Sequence, residues 1–152
     1  MSFRIRNLEP QDLDSLIQLA SGTPEAPRWS RRDYEKVLRA EPPFLRFGLV
    51  AVVGEQLAGF AVACYLAQEA AAEVESLVVA EPYRRLGIGS ALVRDCMAWS
   101  AKAGAAKVRL EVRMSNAAAI ALYQRQGFSA AGIRRAYYSA PTEDALLLHA
   151  SL

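Results

Sequence analysis

The sequence predicts a mixed α/β fold of the α+β type, with a central sheet and helices on both of its faces. Three observations predict it. Runs of alternating apolar and polar residues read as strands, and apolar stripes spaced three and four apart read as helices. The two kinds interleave in the order β-α-α-β-β-β-α-β-α-β-β, which calls for a layered sheet rather than an all-helix bundle. No repeat, low-complexity tract or linker divides the 152 residues, so residues 1–152 are expected to form one domain with one core.

Phe3 and Ile5 alternate with Arg4 and Arg6, giving a first strand over residues 3–8. Asp12 is placed to cap a helix reaching about residue 20, with Leu13, Leu16, Ile17 and Ala20 on one face. A loop follows over 22–27. Ser30 caps a second helix from 31 to about 40, which Pro42-Pro43 stops. Residues 47–53 form a strand, Gly54-Glu55-Gln56 a hairpin turn, and residues 57–66 the returning strand. After a turn over 68–72, residues 74–79 are another strand. Ile88, Leu92, Cys96 and Trp99 mark a helical stripe that Gly104 ends. Val108, Leu110 and Val112 alternate with Arg109, Glu111 and Arg113, so this strand is half-buried. Asn116 caps a helix from 117 to about 126, with Gly127 as its stop. Residues 128–139 and 144–151 are the last strands, joined around Pro141.

Hydrophobic residues make up 53% of the chain, enough for a packed core and too many for a disordered chain. Charged residues are 22% and the net charge is +2, which makes no case for a nucleic-acid partner. No apolar run is long enough to span a bilayer and the start has no apolar signal core, so a cytoplasmic protein without a membrane partner is expected. Cys64 and Cys96 fall on apolar faces and read as reduced core residues. With His149 as the one histidine, a metal site is not expected.

Two stretches carry chemistry. In the first, an apolar strand ending at Val79 leads into Arg84, Arg85, Leu86, Gly87, Ile88, Gly89 and Ser90. An Arg-rich turn and two glycines thus open a helix. The first N–H groups of a helix have no internal partner, and the helix dipole adds partial positive charge. That combination suits a phosphate or pyrophosphate. In the second, Glu111 lies on a strand and Tyr123 one helix later, with Asn116 between them. A carboxylate can take a proton and a phenol can give one. Glu111 is equally a surface partner for Arg109 or Arg113, Tyr123 a core aromatic, and Asn116 a cap. Spacing alone leaves these readings open.

Together the two stretches resemble the GNAT superfamily of acyl-CoA-dependent N-acetyltransferases. Its cofactor signature, Arg/Gln-x-x-Gly-x-Gly/Ala, is met by Arg84-Arg85-Leu86-Gly87-Ile88-Gly89. The element order also matches that fold. The run Leu110-Glu111-Val112-Arg113, then Ser115-Asn116, Leu122-Tyr123, Gly127-Phe128, Arg134-Arg135 and Tyr137-Tyr138, is similar to the bacterial ribosomal-protein-alanine N-acetyltransferases.

The resemblance implies acetyl-CoA as cofactor and direct transfer of acetyl to an amine, with no acyl-enzyme. It implies that the strand with Leu77, Val78 and Val79 splays from the strand with Glu111 and pairs with the pantetheine arm. The backbone of residues 85–90 and the helix beginning there would hold the pyrophosphate, with Arg84, Asn116 and Tyr123 also bordering the cofactor. A backbone N–H near Val79 would polarise the thioester. Glu111 would be the base and Tyr123 the acid. Trp29, Glu75 and Tyr138 would border the acceptor, and Glu75 rivals Glu111 as base. Trp29 sits in Pro27-Arg28-Trp29-Ser30, where the branch usually has Pro-Trp-Ser, and this departure leaves the acceptor open. The expected acceptor is a protein N-terminus, such as a ribosomal-protein alanine. A small amine, a lysine side chain and a non-catalytic acyl-CoA-binding module are the alternatives. Monomer and homodimer both remain open.

Overall fold

The computed structural model describes residues 2–39 and 43–152. Its sheet is built of β1 (Arg4–Asn7), β2 (Phe44–Val53), β3 (Gln56–Leu66), β4 (Ala71–Val79), β5 (Lys107–Arg113), β6 (Ser129–Tyr138) and β7 (Glu143–Ser151). The spatial order is β1-β2-β3-β4-β5-β7-β6. Neighbours run antiparallel except β4 and β5, which are parallel. The helices are α1 (Leu13–Ser21), α2 (Arg31–Val37), α3 (Ile88–Ala103) and α4 (Ala117–Arg125). The order of strands and helices is the one the sequence predicts.

Successive strand residues point to opposite faces, so β3 serves two cores. Ala61 and Ala63 join Leu92, Cys96, Val108 and Tyr123 under α3 and α4. Phe60 and Val62 join Leu16, Tyr34, Val50 and Val78 under α1 and α2. The expected single core is therefore two, because a sheet covered on both sides buries both faces. Cys64 and Cys96 are free and buried.

Local signals account for most of the ends. The Ser30 hydroxyl accepts from Asp33 N–H, Asn116 Oδ1 accepts from Ala119 N–H, and Gly104 ends α3 in a left-handed conformation. Asp12 does not cap α1 as expected. Its carboxylate is taken by the Arg6 guanidinium at 2.7 and 2.8 Å and by Glu9 N–H. The second helix ends at Val37, earlier than expected, and the rest of the expected stop, Ala40 and Pro42, lies outside the described residues. β2 and β4 begin three residues before the expected starts. Phe44–Leu66 pairing and Ala71–Lys107 pairing supply those extra rungs, and neither has a local pattern to announce it.

Candidate active site

The site begins with a gap in the sheet. β4 pairs with β5 only from Ala71 to Glu73, against Lys107 to Arg109. Beyond that point the strands diverge. The register of β4 on β3 slips at Glu75, between the Ser76–Val62 and Val74–Ala63 pairs. Such a bulge bends the strand and turns it away from its neighbour. Ala80 N–H donates to Ala58 O at 2.8 Å, which fixes the hydrogen-bonded pairs of this ladder. Antiparallel pairs alternate, so the N–H groups of Leu77 and Val79 point away from β3 and into the gap.

A cleft of about 430 Å³ fills that gap. Leu77, Val78 and Val79 form one wall, and Ala118, Ala119, Leu122 and Arg125 of α4 form the other. Its far end is the turn into α3, where Tyr83, Arg84, Arg85, Gly87, Ile88, Gly89 and Ser90 line the wall. Arg84 Nε donates to Val79 O at 3.0 Å and holds the turn against the end of β4. Arg85 and Gly87 take left-handed conformations, with φ of 66° and 88°. Gly87 is the N-cap of α3 and offers no side-chain cap, so the first N–H groups of α3 keep no side-chain acceptor. The site fits a coenzyme A pyrophosphate: uncapped N–H groups face an apolar-walled cleft ringed by Arg84, Arg85 and Arg125.

A second cavity of about 290 Å³ adjoins it. Pro24 and Glu25 of the loop between α1 and α2 form one side. Ala140, Pro141 and Glu143 of the turn between β6 and β7 form the other, with Arg113 and Ser115 at the end of β5. Glu25 and Asn116 line both cavities and mark where they meet.

Of the residues expected to hold the cofactor, Leu77, Val78, Val79, Arg84, Arg85, Gly87, Ile88, Gly89, Ser90 and Asn116 line the cleft. Leu86 instead projects to solvent and does not line it. Tyr123 is also outside its wall. The ring lies in the core edge-on to Phe128, with centroids 5.6 Å apart, while the adjacent Leu122 faces the cleft. Burial raises the Tyr123 phenol well above its ordinary value, so it keeps its proton.

Glu111 projects from the face of β5 opposite Leu110 and Val112. It pairs with neither Arg109 nor Arg113. Arg109 binds Glu69 and Glu73, and Arg113 binds Glu143. Glu111 lies 3.3 Å from Arg134 Nη1 of β6 and accepts from the Tyr137 hydroxyl, a bond that raises the Tyr137 phenol above its ordinary value. Glu75, the bulged residue, is bound by Arg46 at 2.9 Å. Trp29 packs on Tyr34 at 5.2 Å in the α1–α2 core. Tyr138 lies under the Arg113 guanidinium, 4.5 Å from its ring centre, and burial with the nearby Glu111 pushes its phenol up to about 12. Glu111, Glu75, Trp29 and Tyr138 line neither cavity.

Burial pushes the thiols of Cys64 and Cys96 up to about 11 and about 12, so neither is a thiolate at neutral pH. Among the described residues no group of three His, Cys, Asp or Glu side chains is placed to hold a metal ion, and no helix is long and apolar enough to cross a membrane.

Sequence reading missed Thr23, Glu25, Tyr83, Ala118, Ala119, Leu122 and Arg125, all of which line the cleft. Ala118, Leu122 and Arg125 recur at helical spacing and could have been found as one face of α4. Thr23 and Glu25 sit in an aperiodic loop that gives no such signal.

Known proteins share this fold. The chain is 36% identical over 140 residues to the [ribosomal protein bS18]-alanine N-acetyltransferase of Escherichia coli strain K12, covering 92% of this chain and 88% of that one. The crystal structure of the Escherichia coli ribosomal-protein-S18-alanine N-acetyltransferase superposes with a TM-score of 0.81 at 30% identity, covering 99% of this chain and 94% of that one. Arabidopsis thaliana NAA60 in complex with acetyl-CoA shares the fold, with a TM-score of 0.87 at 24% identity over 99% of both chains. Residues 12–128, from the start of α1 past the end of α4, match the acetyltransferase (GNAT) family, and the chain belongs to that family.

Proposed function

We propose that this N-acetyltransferase acetylates the N-terminal α-amine of a protein, with a ribosomal-protein alanine terminus as the fitting case. The observation that carries this reading is the second cavity. It is half-open, it is walled by two surface loops, and it meets the cofactor cleft at Glu25 and Asn116. A chain end can enter such a space while the rest of the acceptor stays outside. The resemblance to the bS18-alanine enzyme over nearly the whole chain supports the same acceptor class.

Acetyl-CoA, the cofactor of this enzyme class, supplies an acetyl group activated as a thioester. The N–H groups of Leu77 and Val79 face the gap and are free to bind the pantetheine amides as an added strand. Val79 N–H is the donor nearest the turn and would stabilise negative charge on the thioester oxygen. An N-terminal α-amine has a pKa of about 8, against about 10.4 for lysine, so a modest base makes it nucleophilic. Glu111 would take its proton through water, with Arg134 and Tyr137 fixing the carboxylate. Tyr123 would give its retained proton to the departing sulfur. Glu111 and Tyr123 stand on opposite faces of β5, beyond the point where β4 and β5 stop pairing, and the proton transfers would be relayed through that gap.

The test is a panel of N-terminal peptides, polyamines, aminoglycosides and lysine peptides incubated with enzyme and acetyl-CoA and read by mass. Acetylation of peptide α-amines is expected. Turnover of the small amines with none of the peptides would replace this reading with a small-molecule acceptor.

A further inference from the structure

One side chain makes several of the contacts in the wall of the second cavity. Arg113 ends β5, and its guanidinium reaches across to the turn between β6 and β7. Nη1 donates to Pro141 O and to Glu143 Oε1, each at 3.2 Å, and Nη2 donates to Ser139 O at 3.2 Å. The face of the same guanidinium covers the Tyr138 ring at 4.5 Å. The other Glu143 oxygen accepts from Ser115 N–H at 2.6 Å, just before the cap of α4. One planar fork thus ties two backbone carbonyls, a carboxylate and an aromatic ring of the hairpin to the strand that carries Glu111.

The hairpin leaves the regular β6–β7 ladder after Arg134–Ala145 and rejoins it at Tyr138–Glu143. Ala136 and Ala140 hold left-handed conformations, with φ of 51° and 54°, which alanine adopts only under constraint. Asp144 Oδ1 secures the first through Ala136 N–H. Ala140 lies between Ser139 and Pro141, whose carbonyls are the two that Arg113 binds. Arg113 and Glu143 are both mostly shielded, with side chains 19% and 18% exposed, so their pairing is not a loose surface contact.

We propose that Arg113 is the positioning residue of the acceptor groove. It sets the distance between the β6–β7 turn and the Glu25 loop, and so the space open to the first residues of the acceptor. It touches none of the reacting atoms. The proposal rests on the peptide-acceptor reading above, and the test separates the two.

The experiment compares wild type with R113A, R113K and E143Q by steady-state kinetics on an alanine-terminated peptide and by hydrogen exchange of residues 136–143. R113A is expected to raise the acceptor KM about tenfold or more, with the acetyl-CoA KM within about twofold. Hairpin amides should exchange faster in R113A, while those of α3 stay unchanged. R113K keeps the charge but not the fork, so it should recover only part of both effects. E143Q keeps the shape and the Ser115 bond, and should give a smaller shift of the same kind. If R113A does not fold, R113K and E143Q carry the comparison. Unchanged hairpin exchange and acceptor KM in the folded variants overturn the proposal, as does an equal rise in both KM values. A wild type that acetylates no peptide overturns the function proposed above, and the exchange arm still decides the role of Arg113.

Discussion

A Cβ added to Gly89 would stand 2.7 Å from Cδ1 of Leu122, so the first turn of α3 packs against α4 only because residue 89 has no side chain. The blocking atom is the tip of a mobile side chain, and Leu122 lines the cofactor cleft. In Gly89→Ala, Leu122 must swing away, and the space beside it is the cleft. The crowding falls on a flexible side-chain tip rather than on backbone, so it costs little. Gly89→Ala should therefore leave thermal stability nearly unchanged and raise the acetyl-CoA KM severalfold. A melting curve and a KM measurement on one preparation check both halves.

Gly87 presents the opposite case. Nothing lies within 4 Å of its missing Cβ, but its φ is 88°. Gly87→Ala meets backbone strain rather than a clash, at about 1–2 kcal/mol. It should lower the melting temperature and, by tilting the uncapped N–H groups of α3, weaken coenzyme A binding. Calorimetric titration of coenzyme A into the variant reads the second effect directly.

Removal of Glu111 and of Tyr123 should act on turnover. Glu111→Gln and Tyr123→Phe are each expected to lower kcat by about 100-fold or more, within the range for a lost acid or base, with the acetyl-CoA KM little changed. Glu75→Gln should not do so, because Arg46 binds both oxygens of that carboxylate, at 2.9 and 3.4 Å, in a pair more shielded than Arg134–Glu111. A Glu75→Gln loss as large as that of Glu111→Gln would move the base to β4.

The lining of the cleft around the glycine turn was legible in the sequence, and that of the second cavity was not. The turn from Val79 to Ser90 is local: glycine, arginine and helix start sit in one short run, so chemistry and position coincide. The second cavity is assembled from Pro24 and Glu25, from Arg113, Ser115 and Asn116, and from Ala140, Pro141 and Glu143, which meet only in the folded sheet. Glu25 had no pattern around it. Trp29 looked like a groove residue by its neighbours in sequence, yet its ring is spent on Tyr34. Tyr123 was legible as a residue but not in its depth, since its burial comes from Phe128 and α3 together. The same limit hid the bulge at Glu75, a property of the β3–β4 register rather than of any one strand.

The pH dependence follows from the two partners of the reaction. The α-amine must be neutral, so kcat/KM should rise with pH up to about 8 and then level off. Tyr123 has its phenol raised above the ordinary value by burial, so it remains an acid through pH 10 and imposes no alkaline fall there. The stability consequence has a definite sign. A proton held more tightly in the folded state stabilises fully below the unfolded phenol pKa of about 10, and that contribution fades as pH rises through the folded value. Activity on an alanine peptide from pH 6 to 10 tests the first claim. Alkaline unfolding of Tyr123→Phe beside wild type tests the second, since the variant should lose less stability above pH 10.

The Arg6–Asp12 pair supplies a stability prediction far from the chemistry. The Asp12 side chain is 9% exposed, and its carboxylate receives two bonds from Arg6 at 2.7 and 2.8 Å and one from Glu9 N–H. The Arg6 bonds are the main cause that holds its carboxyl below the ordinary range. A depressed carboxyl pKa stabilises the fold above the unfolded value of about 3.9, and that contribution is lost as pH falls through the folded value. Asp12→Ala should cost about 2 kcal/mol at neutral pH, since it strips a charged, largely shielded network at once. The gap between variant and wild type should begin to narrow below about pH 4, where the unfolded chain takes up a proton that folded Asp12 still resists. Urea unfolding of both proteins at pH 7 and pH 3 measures this. A constant gap at both values would mean that shape rather than charge is what Asp12 contributes. The pair also ties β1 to the start of α1, whose far end leads to Glu25, so Asp12→Ala should raise the acceptor KM before it affects the acetyl-CoA KM.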